Sequence, residues 1–342
     1  LSRPMDAEIN NIFIANKCNV VFHDDLLPQL VIVECDFDSL QGLSFISNVR
    51  ESRVEGQLLA NKKPSIITKA NMKPDIDITM LKDMGYGFGS KIAILDCGIS
   101  EEMRHEVEID VDFTGYGRLP KVPHGDIVLG IIKHFSKASQ VYAAKVCHED
   151  GVLKELHVFK ALKWAKEQNV NIINLSIGYD CNCDGSCDLA AYIKAISEKF
   201  EILFVAAAGN NQNASCFCPG CSEDVITVGL LSKDGESVEQ RSSHGHRISN
   251  KPNLVTSGQG DMLSHGYIGP FIGTSFAAPV VTGILSVLVS YTTNVETLKM
   301  KLYEATSSLE GASVFKQGLG KLELPKLLEV LYNEKRTNSA SS

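Results

Sequence analysis

From about residue 76 onward the chain alternates two kinds of segment, and this alternation limits its fold more than any other feature. Residues 91–95, 140–146, 170–176 and 202–208 are short apolar runs bounded by turn formers. A strand that is apolar at every position, rather than at every second one, is covered on both faces, as strands of parallel sheets are. Between these runs lie segments with helical spacing at 126–135, 154–168 and 189–199. In the second of them Leu156, Phe159, Leu162, Trp164 and Ala165 form one apolar stripe. The alternation predicts a doubly wound α/β domain, its mostly parallel sheet flanked by helices and its site at the carboxyl ends of the strands. Later helices are expected at 275–291, 295–306 and 322–332, and the polar end, 333–342, is expected to be disordered.

Residues 1–75 read differently, as a small α+β unit followed by a linker. A helix suits 7–16, strands suit 19–23 and 29–35, a short helix suits 38–48 and a further strand suits 53–59. Residues 61–74, rich in Lys, Asn and Pro and without periodicity, read as the linker. With 44% hydrophobic residues the chain can bury one large core and a smaller one. A net charge of -8 argues against a nucleic-acid partner, which calls for a basic face. The most apolar stretch, 276–288, is interrupted by Pro279, Thr282, Gly283 and Ser286 and is too short to cross a bilayer, so no membrane partner is expected.

Three motifs carry candidate chemistry. Asp96-Cys97-Gly98 ends an apolar strand with a carboxylate and a glycine turn. His124-Gly125 opens a buried helix, whose positive end favours the neutral imidazole. Gly273-Thr274-Ser275-Phe276-Ala277-Ala278-Pro279 places a serine at the start of a long apolar helix, among small residues that let a substrate backbone approach. Taken singly, each has a plainer reading: a turn aspartate, a packing histidine, a helix-capping serine.

Together these residues resemble the subtilisin-like serine proteases, the subtilases, in which Asp, His and Ser occur in this order. Val205-Ala206-Ala207-Ala208-Gly209-Asn210 resembles the family segment whose asparagine donates to the oxyanion, and Asn174-Leu175-Ser176-Ile177-Gly178 resembles the strand along the specificity pocket. Gly151 is similar in place to a substrate-lining loop, and Lys251-Pro252-Asn253-Leu254-Val255 with Ser257-Gly258 to a further segment ahead of the serine. The resemblance covers 76–332 and implies a subtilisin-like catalytic domain. It also implies a serine endopeptidase that works through an acyl-enzyme and needs no cofactor for catalysis. Ser275 would be the nucleophile, His124 its base, Asp96 the residue that orients His124, and Asn210 the oxyanion donor. Gly151, Ser176, Ile177, Gly178, Ala208, Gly209 and Phe217 would bind a protein or peptide substrate. With the Phe217 ring at the pocket floor and no acidic residue in the lining, a small or medium uncharged residue is expected before the cut. The resemblance makes residues 1–75 a propeptide that inhibits the enzyme in cis and is removed by self-cleavage within 61–74, so the chain is a zymogen. A catalytically silent, peptide-binding relative is the alternative, but such relatives usually lose a triad residue. An esterase would favour a Gly-x-Ser-x-Gly elbow, which Ser275 lacks.

The sequence departs from the family in two places. Asp126 and Ile127 follow His124-Gly125 where Thr and His are common, and Asp126 reads as a helix-start carboxylate. Only residues 133–139 separate this helix from the next strand, so the family's calcium loop is missing and calcium is not assumed. Of ten cysteines, Cys18, Cys35, Cys97 and Cys147 are scattered. The others form two clusters beside the specificity pocket: Cys181, Cys183 and Cys187, then Cys216, Cys218 and Cys221. Disulfides between the two loops, a structural zinc site and reduced thiols are all open to them. Thiolates from two short knuckles suit zinc, although the Cys-x-Cys spacings differ from the usual Cys-x-x-Cys. The scattered cysteines and the missing calcium loop lean toward a reducing cytoplasm over secretion.

Overall fold

Helix α1 (Ala7–Ala15) begins where Asp6 accepts the Ile9 N–H at 2.8 Å, and it packs on the antiparallel strands β1 (Asn19–His23) and β2 (Val31–Glu34). Ile9, Phe13, Cys18 and Phe45 make a small core there. The computed structural model describes residues 1–330 except 41–42, 53–55, 59–68, 73–77, 79–80, 82, 121, 149–150, 182, 213–214, 246–250 and 265–266. The tail expected to be disordered therefore lies outside the described residues.

The helix expected at 38–48 is reduced to a single 3-10 turn, Phe37–Leu40. Gly42 and three serines weaken the helical preference of that segment, and its apolar residues are satisfied instead by packing on the small core. Two further expectations change. The strand foreseen at 53–59 is β3 (Gly56–Leu58), and it pairs with the large domain rather than with β1 or β2. Within the expected linker, β4 (Lys69–Met72) is a strand, while 61–68 and 73–74 lie outside the described residues.

The large domain then runs β5 (Lys91–Asp96), β6 (Ile109–Asp112), α2 (His124–Phe135), β7 (Gln140–Lys145), β8 (Val152–Leu153), α3 (Glu155–Glu167), β9 (Ile172–Leu175), β10 (Ile177–Gly178), α4 (Asp188–Phe200), β11 (Leu203–Ala207) and β12 (Val225–Leu230). After these come β13 (Leu254–Thr256), the hairpin β14 (Gln259–Ser264) and β15 (Tyr267–Ile272), α5 (Thr274–Val289), α6 (Val295–Glu304), β16 (Thr306–Ser307), α7 (Val314–Gln317) and β17 (Lys321–Leu322). A last helix follows at 324–330.

Nine strands form one sheet in the order β16-β17-β13-β12-β11-β9-β5-β7-β6, parallel except for β16 at its edge. Its first strand, β5, lies inside: the chain builds β6 and β7 on one side, then β9 onward on the other. That reversal opens a crevice at the carboxyl ends of β5 and β9. The inner strands β5, β7, β9, β11, β12 and β13 are buried on both faces, as their unbroken apolar runs require. Ile92 and Ile94 of β5 face a core shared with α2 and α5, while Ala93 and Leu95 face one shared with α3 and α4. Each fully buried Ile or Leu contributes about 1.5–3 kcal/mol. Among the described residues no helix is long and apolar enough to cross a membrane.

The N-terminal unit docks on the outer face of α3 and α4. Phe22 of β1 stacks on Phe159 at 5.2 Å and Tyr192 at 5.7 Å between ring centres. Beside it Asp24, buried, meets the Lys166 ammonium at 2.6 Å. Burial alone would raise the Asp24 carboxyl, but Lys166 and the Leu26 N–H outweigh it and hold the group below the usual carboxylate range. Arg50 reaches Glu155 at 2.9 Å and Asp188 at 2.7 Å, at the starts of the same two helices.

Candidate active site

Asp96 ends β5 and His124 begins α2, and both side chains are buried. Two glycines let these elements meet. A Cβ on Gly125 would stand 2.2 Å from the Gly98 carbonyl oxygen, and Gly98 itself has φ +99. No side chain fits either position, which explains why each motif pairs its functional residue with glycine. The result is an Asp96 Oδ1 to His124 Nδ1 hydrogen bond of 2.7 Å, with the same carboxylate oxygen accepting the Cys97 N–H at 2.7 Å. With Nδ1–H donating, the lone pair of the neutral ring lies on Nε2. That atom is buried and has no hydrogen-bond partner. The ring's other neighbour is Phe276, 5.2 Å away between ring centres, the residue after Ser275.

Ser275 is the second residue of α5 and is fully buried. Its hydroxyl donates to the Ser176 carbonyl at 3.0 Å, and the Ser176 hydroxyl donates to the Ser275 carbonyl at 2.7 Å. Pro279 makes the second bond available. Lacking an N–H, it leaves the Ser275 carbonyl four residues earlier without its helical partner. Behind Ser176, the Asn174 side-chain amide donates to its hydroxyl at 2.9 Å, and Thr282 donates to Asn174 Oδ1 at 2.8 Å. Sequence places Asn174 in the pocket-wall segment and Thr282 in the apolar helix but does not foresee this role for either. A buried polar residue on an apolar strand and another on an apolar helix were the available signal.

Asn210 follows β11 and is tied to the same turn, its Oδ1 accepting the Thr274 N–H at 3.0 Å and the Thr274 hydroxyl at 3.2 Å. The structure thus joins Asp96 to His124, and both Ser176 and Asn210 to the turn that bears Ser275. It makes no hydrogen bond between His124 and Ser275.

Ile177 and Gly178 form β10, which pairs antiparallel with β3, and β3 pairs antiparallel with β8. Gly151, at φ +85, closes the turn into β8, its N–H donating to the His148 carbonyl at 3.0 Å. Ala208 accepts the Phe217 N–H at 2.9 Å, and the Phe217 ring lies where a Cβ on Gly209 would be, 2.4 Å from it. Ser176, Ile177, Gly178, Ala208, Gly209 and Phe217 therefore follow the ends of β9 and β11, whereas Gly151 lies beside β8, on the far side of β3. Asp126, buried in the first turn of α2, accepts the Ser100 N–H at 2.9 Å. Burial pushes its carboxyl up to about 6, against the pull of that bond. It holds the loop after Asp96 rather than capping its own helix.

The cysteine clusters do not behave as one set of six. The Sγ atoms of Cys183, Cys218 and Cys221 all lie within 4.8 Å of one another, and Cys187 Sγ is 3.5 Å from Cys218 Sγ. Cys216 is outside that group of three, and burial pushes its thiol up to about 12.

Comparison with known proteins points one way. A family model described as the subtilase family matches residues 87–320. The Subtilisin-like protease SBT6.1 of Arabidopsis thaliana is 28% identical over 72% of this chain and 26% of its own length. The Membrane-bound transcription factor site-1 protease of Homo sapiens is 27% identical over 77% of this chain and 27% of its own. The chain thus spans about a quarter of the length of these relatives. An Intracellular serine protease of Paenibacillus polymyxa is 26% identical over 59% of this chain and 67% of its own length. Among solved structures, the Prenylagaramide maturation protease PagA shares the fold with a TM-score of 0.62 at 23% identity, covering 74% of this chain and 98% of that one.

Proposed function

The chain belongs to the subtilase family of serine peptidases, and from that premise we propose that it cuts internal peptide bonds with Ser275, His124 and Asp96. The observation that carries this reading is the buried 2.7 Å Asp96–His124 bond with Nε2 left unpartnered. Such a ring is oriented and in the tautomer of a base. When the Ser275 hydroxyl turns from the Ser176 carbonyl toward Nε2, His124 takes its proton and Oγ attacks the peptide carbon. The carbonyl oxygen becomes an oxyanion held by the Asn210 amide and the Ser275 N–H. His124 then gives the proton to the leaving amine as the C–N bond breaks, which leaves an acyl-enzyme. Water, deprotonated by His124, releases the acyl group and restores Ser275.

The N-terminal unit fits the role of an inhibitor in cis. β3 is the middle strand between β10 and β8, the two walls that a substrate backbone would pair with. The Phe22, Asp24 and Arg50 contacts fasten the unit to the helices behind that cleft. Self-cleavage is proposed within 61–74, of which only β4 lies among the described residues. At the pocket, the Phe217 ring against Gly209 takes volume from a large side chain, so a small or medium uncharged residue is favoured before the cut.

The test is labelling with a fluorophosphonate probe, followed by incubation and cleavage profiling on a peptide library. Wild-type chain should label, shorten and cleave, whereas Ser275→Ala should do none of these while keeping its fold. A Ser275→Ala chain that labels and cleaves overturns the assignment of the nucleophile. An intact chain that is fully active overturns the inhibitory role of the N-terminal unit.

A further inference from the structure

Beyond β10 the chain enters a cysteine-bearing loop, and after Asn210 it enters a second. A two-way backbone bridge holds the loops together: the Tyr179 N–H donates to the Cys218 carbonyl at 2.8 Å, and the Cys218 N–H donates to the Tyr179 carbonyl at 3.0 Å. Into the space beside this bridge project the sulfurs of Cys183, Cys218 and Cys221, mutually within 4.8 Å, with Cys187 Sγ 3.5 Å from Cys218 Sγ.

These separations discriminate between chemistries. Sulfurs joined in a disulfide are about 2.05 Å apart. Sulfurs bound at about 2.3 Å around a tetrahedral zinc stand about 3.8 Å apart. The 3.5 Å between Cys187 and Cys218 is close to the zinc value, and Cys183, Cys218 and Cys221, mutually within 4.8 Å, can reach one shared centre. Cys183, Cys218 and Cys221 form no disulfide. The sequence agrees once the right pair is chosen: Cys218-Pro219-Gly220-Cys221 is a Cys-x-x-Cys knuckle, and Cys183 with Cys187 supplies a second pair four residues apart. Cys181 also lies within hydrogen-bond reach of Cys183 and Cys218, but it is exposed, whereas Cys187 is half-buried beside Cys218.

The Gly185 N–H donates to Cys183 Sγ at 3.4 Å, a contact that a metal-bound thiolate accepts well.

We propose that Cys183, Cys187, Cys218 and Cys221 hold one structural zinc ion that clamps the two loops beside the substrate pocket. Four protein sulfurs close the coordination sphere, so the ion does no chemistry on substrate. Its role is to fix Phe217, the residue before Cys218, against Gly209, and through that contact the backbone that leads into Asn210. Binding releases the thiol protons of the four cysteines, so the site loads less readily as pH falls.

The experiment uses the full-length Ser275→Ala chain, which keeps its N-terminal unit and makes the readout independent of turnover. Elemental mass spectrometry of protein purified without chelator should find one zinc per chain, and denaturation with chelator should expose all ten thiols to Ellman titration. Exchange for cobalt should give the sulfur-to-metal and ligand-field bands of a tetrahedral thiolate site. Cys218→Ser and Cys221→Ser should lose the metal, whereas Cys181→Ser and Cys216→Ser should keep it. Fewer titratable thiols with no metal would mean disulfides and overturn the proposal. So would iron in place of zinc, or ten thiols with no metal. Metal lost from Cys181→Ser but kept in Cys187→Ser would overturn the ligand set. Where a Cys→Ser chain fails to fold, zinc content and the cobalt spectrum of the unsubstituted cysteines still decide the question.

Discussion

The two halves of the proposed active site are held in opposite ways. The Asp96–His124 half is set by the backbone: β5 and α2 approach so closely that only glycine fits at the contact, and the side-chain bond is already closed. The Ser275 half is set by side chains, through the chain Thr282, Asn174, Ser176, Ser275, and its hydroxyl points at the Ser176 carbonyl. Orienting an imidazole needs both of its angles fixed, and a rigid backbone contact supplies that. Turning a serine hydroxyl needs one torsion and the exchange of one hydrogen bond, a net change of about 1 kcal/mol. In the proposed mechanism His124 is therefore prepared as base before Ser275 is committed as nucleophile.

The comparison can be broken most severely from its rigid half. Asp96→Asn should keep the geometry but hold His124 in the wrong tautomer, lowering kcat about 10⁴-fold in steady-state peptide assays. An effect under tenfold would mean that His124 is oriented by something else. Asn210→Ala acts on the other half. It should lower kcat about 10²–10³-fold with little change in KM, because its amide acts on charge that develops only in the transition state.

Smaller effects separate the halves by stability. The Asp126 carboxyl sits at about 6 when folded, above its ordinary value of 3.8, so the folded chain holds the proton more tightly than the unfolded one. Wild-type stability should accordingly fall as pH rises from about 4 to about 6. Asp126→Asn should lack that fall and gain about 2–3 kcal/mol over wild type above pH 6, measured by denaturant unfolding in the Ser275→Ala background. A parallel pH dependence in both chains would remove Asp126 from the account. Thr282→Val keeps shape while deleting the outermost donor of the serine network. It should cost about 1–2 kcal/mol of stability and lower kcat less than Asn210→Ala does.

Much of the large domain was legible in the sequence, because its strands are buried on both faces and its helices on one. The periods of burial are written directly into runs such as Ile92-Ala93-Ile94-Leu95. The close approach of β5 and α2 and the turn that bears Ser275 were legible because glycine at 98 and 125 and proline at 279 have backbone consequences that no other residue supplies. What escaped depends on partners distant in the chain. β3 was legible as a strand but not its partners β10 and β8, and β4, four residues long, owes its strand character to β14 rather than to its own residues. Residues 69–72 therefore read as linker. Asn174 and Thr282 acquire meaning only when β9 and α5 are brought together. Among the cysteines, proximity in sequence misled: Cys216 lies two residues from Cys218 yet outside its group of sulfurs, while Cys183 is inside it.

The place of β3 between two walls bears on what kind of target this cleft can accept. On the proposed reading a substrate takes the place of β3 and is held through main-chain groups, which every polypeptide has, so the first requirement on a target is mechanical rather than chemical. A stretch of several residues must leave whatever helix or sheet it belongs to and lie straight. The free energy of that local opening differs between a fraying terminus and a packed core by most of a protein's total stability. Rates of cutting across different proteins would then rank the looseness of their segments before they rank the side chains next to the bond, with folded interiors spared and exposed tethers taken first.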